Sequence, residues 1–195
     1  VYEGATLNIG AYELSIVGGG TFSNTNPIQL DNASSKLTLS GILVSYVRTK
    51  SDSLGVVIDN SSNINEFTVG HVTPVAISAN QSLGGVVDIY SNGNLQLNNS
   101  GTLSATVTVK GDSFGSGTAG GKIEVKETMT FSGTLHQTTD HNGLEIIIDS
   151  GKTMTYTGSG FNIANHTLKL SGGGEFDNTN NLTIDDAGSN LAISD

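Results

Sequence analysis

Residues Leu7 to Gly41, LNIGAYELSIVGGGTFSNTNPIQLDNASSKLTLSG, return near the end of the chain as Phe161 to Asp195, FNIANHTLKLSGGGEFDNTNNLTIDDAGSNLAISD. Shifted by 154 positions without a gap, the two segments agree at 15 of 35 residues. The agreements include Asn8-Ile9 with Asn162-Ile163, Gly18 to Gly20 with Gly172 to Gly174, and Asn24 to Asn26 with Asn178 to Asn180. Most other hydrophobic positions are hydrophobic in both segments. Self-similarity of this length points to an architecture of stacked, equivalent units, in which each unit buries its apolar side against its neighbours.

The spacing of hydrophobic residues identifies the unit. Helix-forming residues never cluster at a 3.6-residue period, and Gly or Asn interrupts the chain about every ten residues. Short alternating pairs recur instead, and residues i and i+2 of a strand face the same side. Reading forward, Leu7/Ile9 precede Leu14/Ile16, Ile28/Leu30 precede Leu37/Leu39, and Val56/Ile58 precede Phe67/Val69. Val87/Ile89 then precede Leu95/Leu97, Ile123/Val125 precede Met129/Phe131, and Ile146/Ile148 precede Met154/Tyr156. The series ends with Phe161/Ile163 before Leu168/Leu170 and Leu182/Ile184 before Leu191/Ile193. Eight units result. The second residues of the leading pairs are separated by 21, 28, 31, 36, 23, 15 and 21 positions. A coil of roughly 20–25 residues with loop insertions accounts for these spacings, except the 15-residue step, which marks a strand placed out of register.

The expected fold is therefore all-β, a parallel β-solenoid (β-helix) of about eight coils, forming one domain over residues 1–195. Gly and Asn suit its corners because both tolerate positive φ, and stacked Asn or Thr could form side-chain ladders there. An antiparallel sandwich also has many short strands, but it gives no reason for a gapless repeat at an offset of 154. Longer polar stretches at Thr49–Gly55, Ser78–Gly85, Gly111–Gly121 and Gln137–Gly143 read as insertions projecting from the coils, where solenoids often bind.

Composition narrows the function. With 26 Gly and only 13% charged residues, the chain could be low-complexity coil, but the regular strand pairs argue against that. A net charge of −10 with eight Lys and Arg leaves no basic footprint for nucleic acid. Absence of cysteine removes disulfide and thiol chemistry. No apolar run approaches the length of a transmembrane helix. A chain opening on Val1 reads as a mature product or a piece of a longer protein.

The LKLSGG and NLTI strings around Leu168–Gly173 and Asn181–Ile184 resemble the parallel β-helix stalks of bacterial secreted surface proteins, such as autotransporter passengers and filamentous-haemagglutinin-like adhesins. The resemblance implies an extracellular rod at the cell surface, used for adhesion, autoaggregation or a fibre. It carries no family-specific motif to individual residues.

Candidate chemistry is sparse. His136 and His141 flank Asp140 in HQTTDHNG, but i, i+5 is not a metal-ligand spacing such as HExxH. His71 stands alone, and His166 takes the place of Tyr12 in the repeat. Asp59, Asp88, Glu124, Glu145 and Asp149 could line one face as the paired carboxylates of a polysaccharide-active enzyme. Such a row is more often a solvated surface, and Arg48 is the chain's one arginine for clamping an acidic sugar. Asp31, Asp185 and Asp186 sit at equivalent turns and could hold Ca²⁺ weakly through oxygen ligands. No phosphate loop, nucleophile elbow or dinucleotide fingerprint is present, and no cofactor is expected.

The sequence thus predicts a non-enzymatic structural subunit that stacks end to end with copies of itself. Its assembly edges would be Leu7, Ile9, Leu14 and Ile16 at one end and Leu182, Ile184, Leu191 and Ile193 at the other. An adhesin that presents its inserted loops to glycan or host protein is the alternative. A polysaccharide-active enzyme ranks third.

Overall fold

The computed structural model describes residues 1–110, 120–137 and 143–195. Among them there is no helix. The chain winds as a parallel β-solenoid of about eight turns, each coil crossing three sheet faces in the same order. Every strand pairing among the described residues is parallel, as a coil stacking on its neighbour requires.

Face I begins with Leu7–Asn8 and Ile28–Leu30 and continues through Val86–Ile89, Thr106–Val109 and Leu135–Gln137. Phe161–Asn162 and Leu182–Thr183 form a short two-stranded sheet at its far end. Face II is the longest. It runs through Gly55–Asp59, Val72–Ile77, Asn94–Leu97, Gly121–Val125, Leu144–Ile148 and Thr167–Ser171 to Asn190–Ile193. Face III stacks Ser82–Leu83, Thr102–Leu103, Met129–Phe131, Thr153–Tyr156 and Glu175–Asn178. In the early coils the strands bend around corners without breaking: Glu13–Phe22 serves faces II and III, and Lys36–Thr49 serves all three.

Hydrogen-bonded partners on face II give the true coil length. Leu14, Leu37, Val56, Val75, Leu97, Val125 and Ile148 form one column, with steps of 23, 19, 19, 22, 28 and 23 residues. The 28-residue step carries the insertion at 111–119, which lies outside the described residues. The irregular sequence spacings arose because leading pairs fall on different faces. Val56/Ile58, Ile123/Val125 and Ile146/Ile148 lie on face II, whereas Ile28/Leu30, Val87/Ile89 and Phe161/Ile163 belong to face I. The 15-residue step from Ile148 to Ile163 crosses from one face to another and is not a coil.

Inward positions are apolar and sealed. Leu37, Leu39, Val56, Ile58, Ile77, Leu95 and Ile123 are all essentially inaccessible, and each such side chain contributes about 1.5–3 kcal/mol. Face III fills its side of the lumen with aromatic residues: Phe131 meets Tyr156 edge-to-face at 5.1 Å, and Tyr156 stacks on Phe176 at 6.3 Å. Asn60, Asn80 and Asn92 take positive φ at the corners, in line with the sequence.

On the outer side of face III three threonines stack in consecutive coils, Thr102 on Thr130 on Thr155. The outer column of face I is instead mixed, running Asn8, Gln29, Arg48, Thr68, Asp88, Thr108 and His136. Gln29 donates to Asn8 at 2.8 Å, and Arg48 Nε donates to Gln29 at 2.9 Å.

Ser78–Gly85 is not an insertion. It holds an ordinary turn closed by Gln81 N donating to Ser78 O, followed by the face III strand Ser82–Leu83. Thr49–Gly55 turns the corner between faces I and II, and the strands on either side of Gly111–Gly121 and Gln137–Gly143 flank the same corner. Most of the latter two lie outside the described residues, as does the Asp140–His141 part of the histidine-rich segment.

The repeat at offset 154 is a repeat of structure. Glu13–Phe22 and the pair Thr167–Ser171 and Glu175–Asn178 occupy faces II and III in the same way, seven coils apart. Ser35 Oγ donates to Gly10 O, and Ser189 Oγ donates to Ala164 O, 154 residues further on. Gly10 and Ala164 both have positive φ, 61° and 52°. The equivalence reaches back beyond Leu7: Tyr2 stacks on Phe22 at 6.1 Å and 24°, as Tyr156 stacks on Phe176 at 6.3 Å and 20°. Tyr2 donates its hydroxyl to Ala5 O and Tyr156 donates to Ser159 O, while Asn26 and Asn180 donate to Gly4 O and Gly158 O.

Candidate functional site

A parallel solenoid leaves its outermost strands with one unpaired edge, so its ends are its most reactive surfaces. At the first coil that edge is formed by Leu7–Asn8 on face I and Glu13–Phe22 on faces II and III. At the last it is formed by Leu182–Thr183, Asn190–Ile193 and Glu175–Asn178. Leu7, Leu14 and Ile16 at one end, and Leu182 and Leu191 at the other, are half-buried against the lumen. Ile184 is 50% exposed and Ile193 75% exposed. Ile9 differs from its sequence neighbours: it is buried, at 6% exposure, and belongs to the core. Two residues that the pattern of pairs did not single out join the first edge, Val17 at 70% and Tyr12 at 77% exposure. Tyr12 lies in the corner before Glu13 and Val17 precedes the triple glycine, where alternation gives no signal.

The outward carboxylates do not share one column. Asp88 stands on face I, apart from Asp59, Glu124, Glu145 and Asp149 on face II. Glu124 and Glu145 occupy different columns, opposite Ile147 and Lys122. Each is held by cations: Lys126 Nζ lies 2.9 Å from Glu124 and 3.2 Å from Asp149, and Lys169 and Lys122 lie 2.7 Å and 3.4 Å from Glu145. Cross-strand pairs of opposite charge stabilise a sheet face, and Lys122–Glu145 and Lys169–Glu145 are two such pairs.

Burial raises the Glu145 carboxyl, but the hydrogen bonds from Lys169 and Ser171 and the charge of Lys122 outweigh it, so Glu145 stays below the usual carboxylate range. A carboxyl lowered on folding adds stability above the unfolded value, about 4.3, and loses it as pH falls through the lower folded value. We expect the urea midpoint to fall on acidification through that window. Glu145→Gln should flatten this fall and cost about 1 kcal/mol at neutral pH, measured by urea titration from neutral to acidic pH. An unchanged pH profile would refute the assignment.

The corner between faces I and II holds a second set of polar groups. Lys110 Nζ pairs with Asp88 Oδ2 at 2.5 Å and lies 6.0 Å from the centre of the Tyr90 ring. The Asp88 contact raises the Lys110 pKa against the opposing effect of burial, with Tyr90 and Glu66 adding to the rise. Among the described residues, three buried side-chain atoms have no hydrogen-bond partner, Ser53 Oγ, Asp88 Oδ1 and Asn94 Oδ1. All three lie at or beside this corner.

Two of the calcium candidates bond to the preceding coil through a carboxylate oxygen, and the third engages a turn through its main-chain N. Asp31 Oδ1 accepts from Gly10 N, Asp185 Oδ2 accepts from Asn162 Nδ2, and Asp186 N donates to Ser189 Oγ. Among the described residues no three His, Cys, Asp or Glu side chains gather as a metal site. His71 Nδ1 is 3.9 Å from Asp52, and His166 O accepts from Asn190 N. Among the described residues no helix is long and apolar enough to cross a membrane. The chain matches no known protein family, no curated protein and no solved structure.

Proposed function

We propose that this chain is an extracellular structural protein whose solenoid coils stack head to tail into a surface filament or stalk. The observation that carries this reading is the structural repeat at offset 154: the last coils share the path, hydrogen bonds and ring stack of the first, and the outer strands of both carry half-buried and exposed aliphatic side chains. Main-chain pairing supplies affinity at such an edge, and the apolar lumen supplies the hydrophobic gain. A contact between two different ends of one chain is heterologous and propagates as an open filament. The resemblance to β-helix stalks of secreted surface proteins agrees with this use.

Negative-stain electron microscopy over a concentration series tests the reading. We expect filaments one solenoid wide. Ile193→Asp with Ile184→Asp should abolish them while moving the thermal midpoint by no more than about 4 °C, because both side chains are exposed. Short rods at every concentration would overturn the proposal.

Adhesion through the insertions is the second reading, favoured by the common corner between faces I and II that the strands flanking them share. Its ligand would be a glycan or cell-surface protein. Loss of adherence in a variant with a shortened corner loop, with filaments unaffected, would favour it.

A further inference from the structure

We infer that residues 2–41 fill, within each chain, the seat that residues 156–195 of a second copy also fit, so that copies join by exchanging this end. The inference rests on the stacking reading above and specifies its seam.

The two segments share more than sequence. Each follows the same path from the end of face III through face I to face II, and the paired hydrogen bonds, the stacked Tyr–Phe rings and the positive φ of Gly10 and Ala164 recur at an offset of 154. Segment 2–41 has coils on one side only. Its strands pair with Ile42–Val44, Val47–Thr49 and Gly55–Asp59. Segment 156–195 also has coils on one side only, the opposite one, where Thr153–Tyr156 and Leu144–Ile148 lie beneath it. The free side of segment 156–195 therefore has the form of the side that segment 2–41 presents to residues 42–59. If segment 2–41 lets go, segment 156–195 of another copy can take its place in the same register. Asp195 then stands where Gly41 stood, and the next coil begins at Ile42 of the second copy.

Simple abutment of whole chains matches these surfaces less well. It sets Leu14 and Ile16 of one copy on Leu191 and Ile193 of the other, a pairing that occurs nowhere within the chain. In a solenoid the stability of a coil is an intrinsic term plus the interface with its neighbour. Exchange keeps the interface to residues 42–59; the displaced segment regains its ordering entropy and gives up the burial of Ile28, Leu30, Leu37 and Leu39.

The chain has no cysteine, so single introduced thiols report the seam in the full-length protein. Thr38 pairs with Val57 on the outer side of face II, and Ala192 is the residue 154 positions after Thr38. Mixing the Ala192→Cys chain with the Val57→Cys chain under a glutathione redox buffer should give a disulfide-linked heterodimer. Mixing the Ala192→Cys chain with the Ser15→Cys chain, the partner expected from simple abutment, should give at least about tenfold less. A Thr38→Cys/Val57→Cys chain should close its disulfide internally, which verifies the face II geometry. Crosslinking to the Ser15→Cys chain in place of the Val57→Cys chain would overturn exchange and leave head-to-tail stacking standing. Crosslinking to neither would overturn both.

Discussion

Gly55→Ala is expected to destabilise the solenoid by at least about 3 kcal/mol, the range of backbone strain combined with a steric clash. Gly55 opens the third face II strand with φ +94°, a conformation that L side chains rarely adopt. A Cβ added there would lie 1.8 Å from Pro74 O in the next coil, nearer than any real contact. The obstacle is backbone and cannot rotate away, so relief requires the two coils to separate. Spacing between coils is fixed by hydrogen bonds such as those joining Val56–Ile58 to Val75–Ile77, so the strain is shared along the strand. Urea titration followed by far-UV circular dichroism measures the cost. Gly151→Ala is the comparison: it shares a positive φ of 73° but has nothing within 4 Å of the added Cβ. Its loss should stay near about 1 kcal/mol. Equal losses would show that φ alone, not the approach of the coils, sets the requirement at Gly55.

Phe131→Ala should cost about 3–5 kcal/mol. The ring is fully buried, sits above Leu103 in the face III column and meets Tyr156 edge-to-face at 5.1 Å. The hole cannot close easily, because the column spacing is held by main-chain pairing of Met129–Phe131 with Met154–Tyr156. With total domain stability of order 5–15 kcal/mol, this loss is enough to uncouple the coils on either side. Nearest-neighbour coupling then turns one cooperative melt into two, with hydrogen exchange accelerated first around Thr102–Tyr156. Phe22→Ala, at the half-buried first edge, should lower stability by less than half as much and keep a single transition. A single transition in the Phe131 variant, or a larger loss at Phe22, would refute nearest-neighbour control of stability.

The repeat at offset 154 and the i, i+2 pairs were enough to predict a parallel solenoid, because each pair must point inward and repeated units must stack. From Ile28 to Leu168 the chosen inward residues are all buried, Leu37, Leu39, Ile58, Val87 and Leu97 among them, whereas those nearer either end are mostly half-buried or exposed. The offset also spans a whole number of coils, seven. What the strand pattern could not assign was the face. Leu-x-Leu reads alike on faces I, II and III, so pairs on different faces were counted as successive coils. Face III strands as short as Ser82–Leu83 and Thr102–Leu103 hold one inward residue each and so show no alternation at all.

The same limit governs the site. Exposed edge residues such as Ile193 were legible because a terminal strand must leave its last apolar residues uncovered. The burial of Ile9, the Tyr2–Phe22 stack and the pairing of Glu145 with Lys122 and Lys169 were not, since each joins residues about 20 or more positions apart through coil register. The sequence by itself determined which residues face the lumen and how often the coil returns. Tertiary structure alone decided which coil meets which, because register depends on corner lengths, and these vary with insertions that leave the inward pattern unchanged.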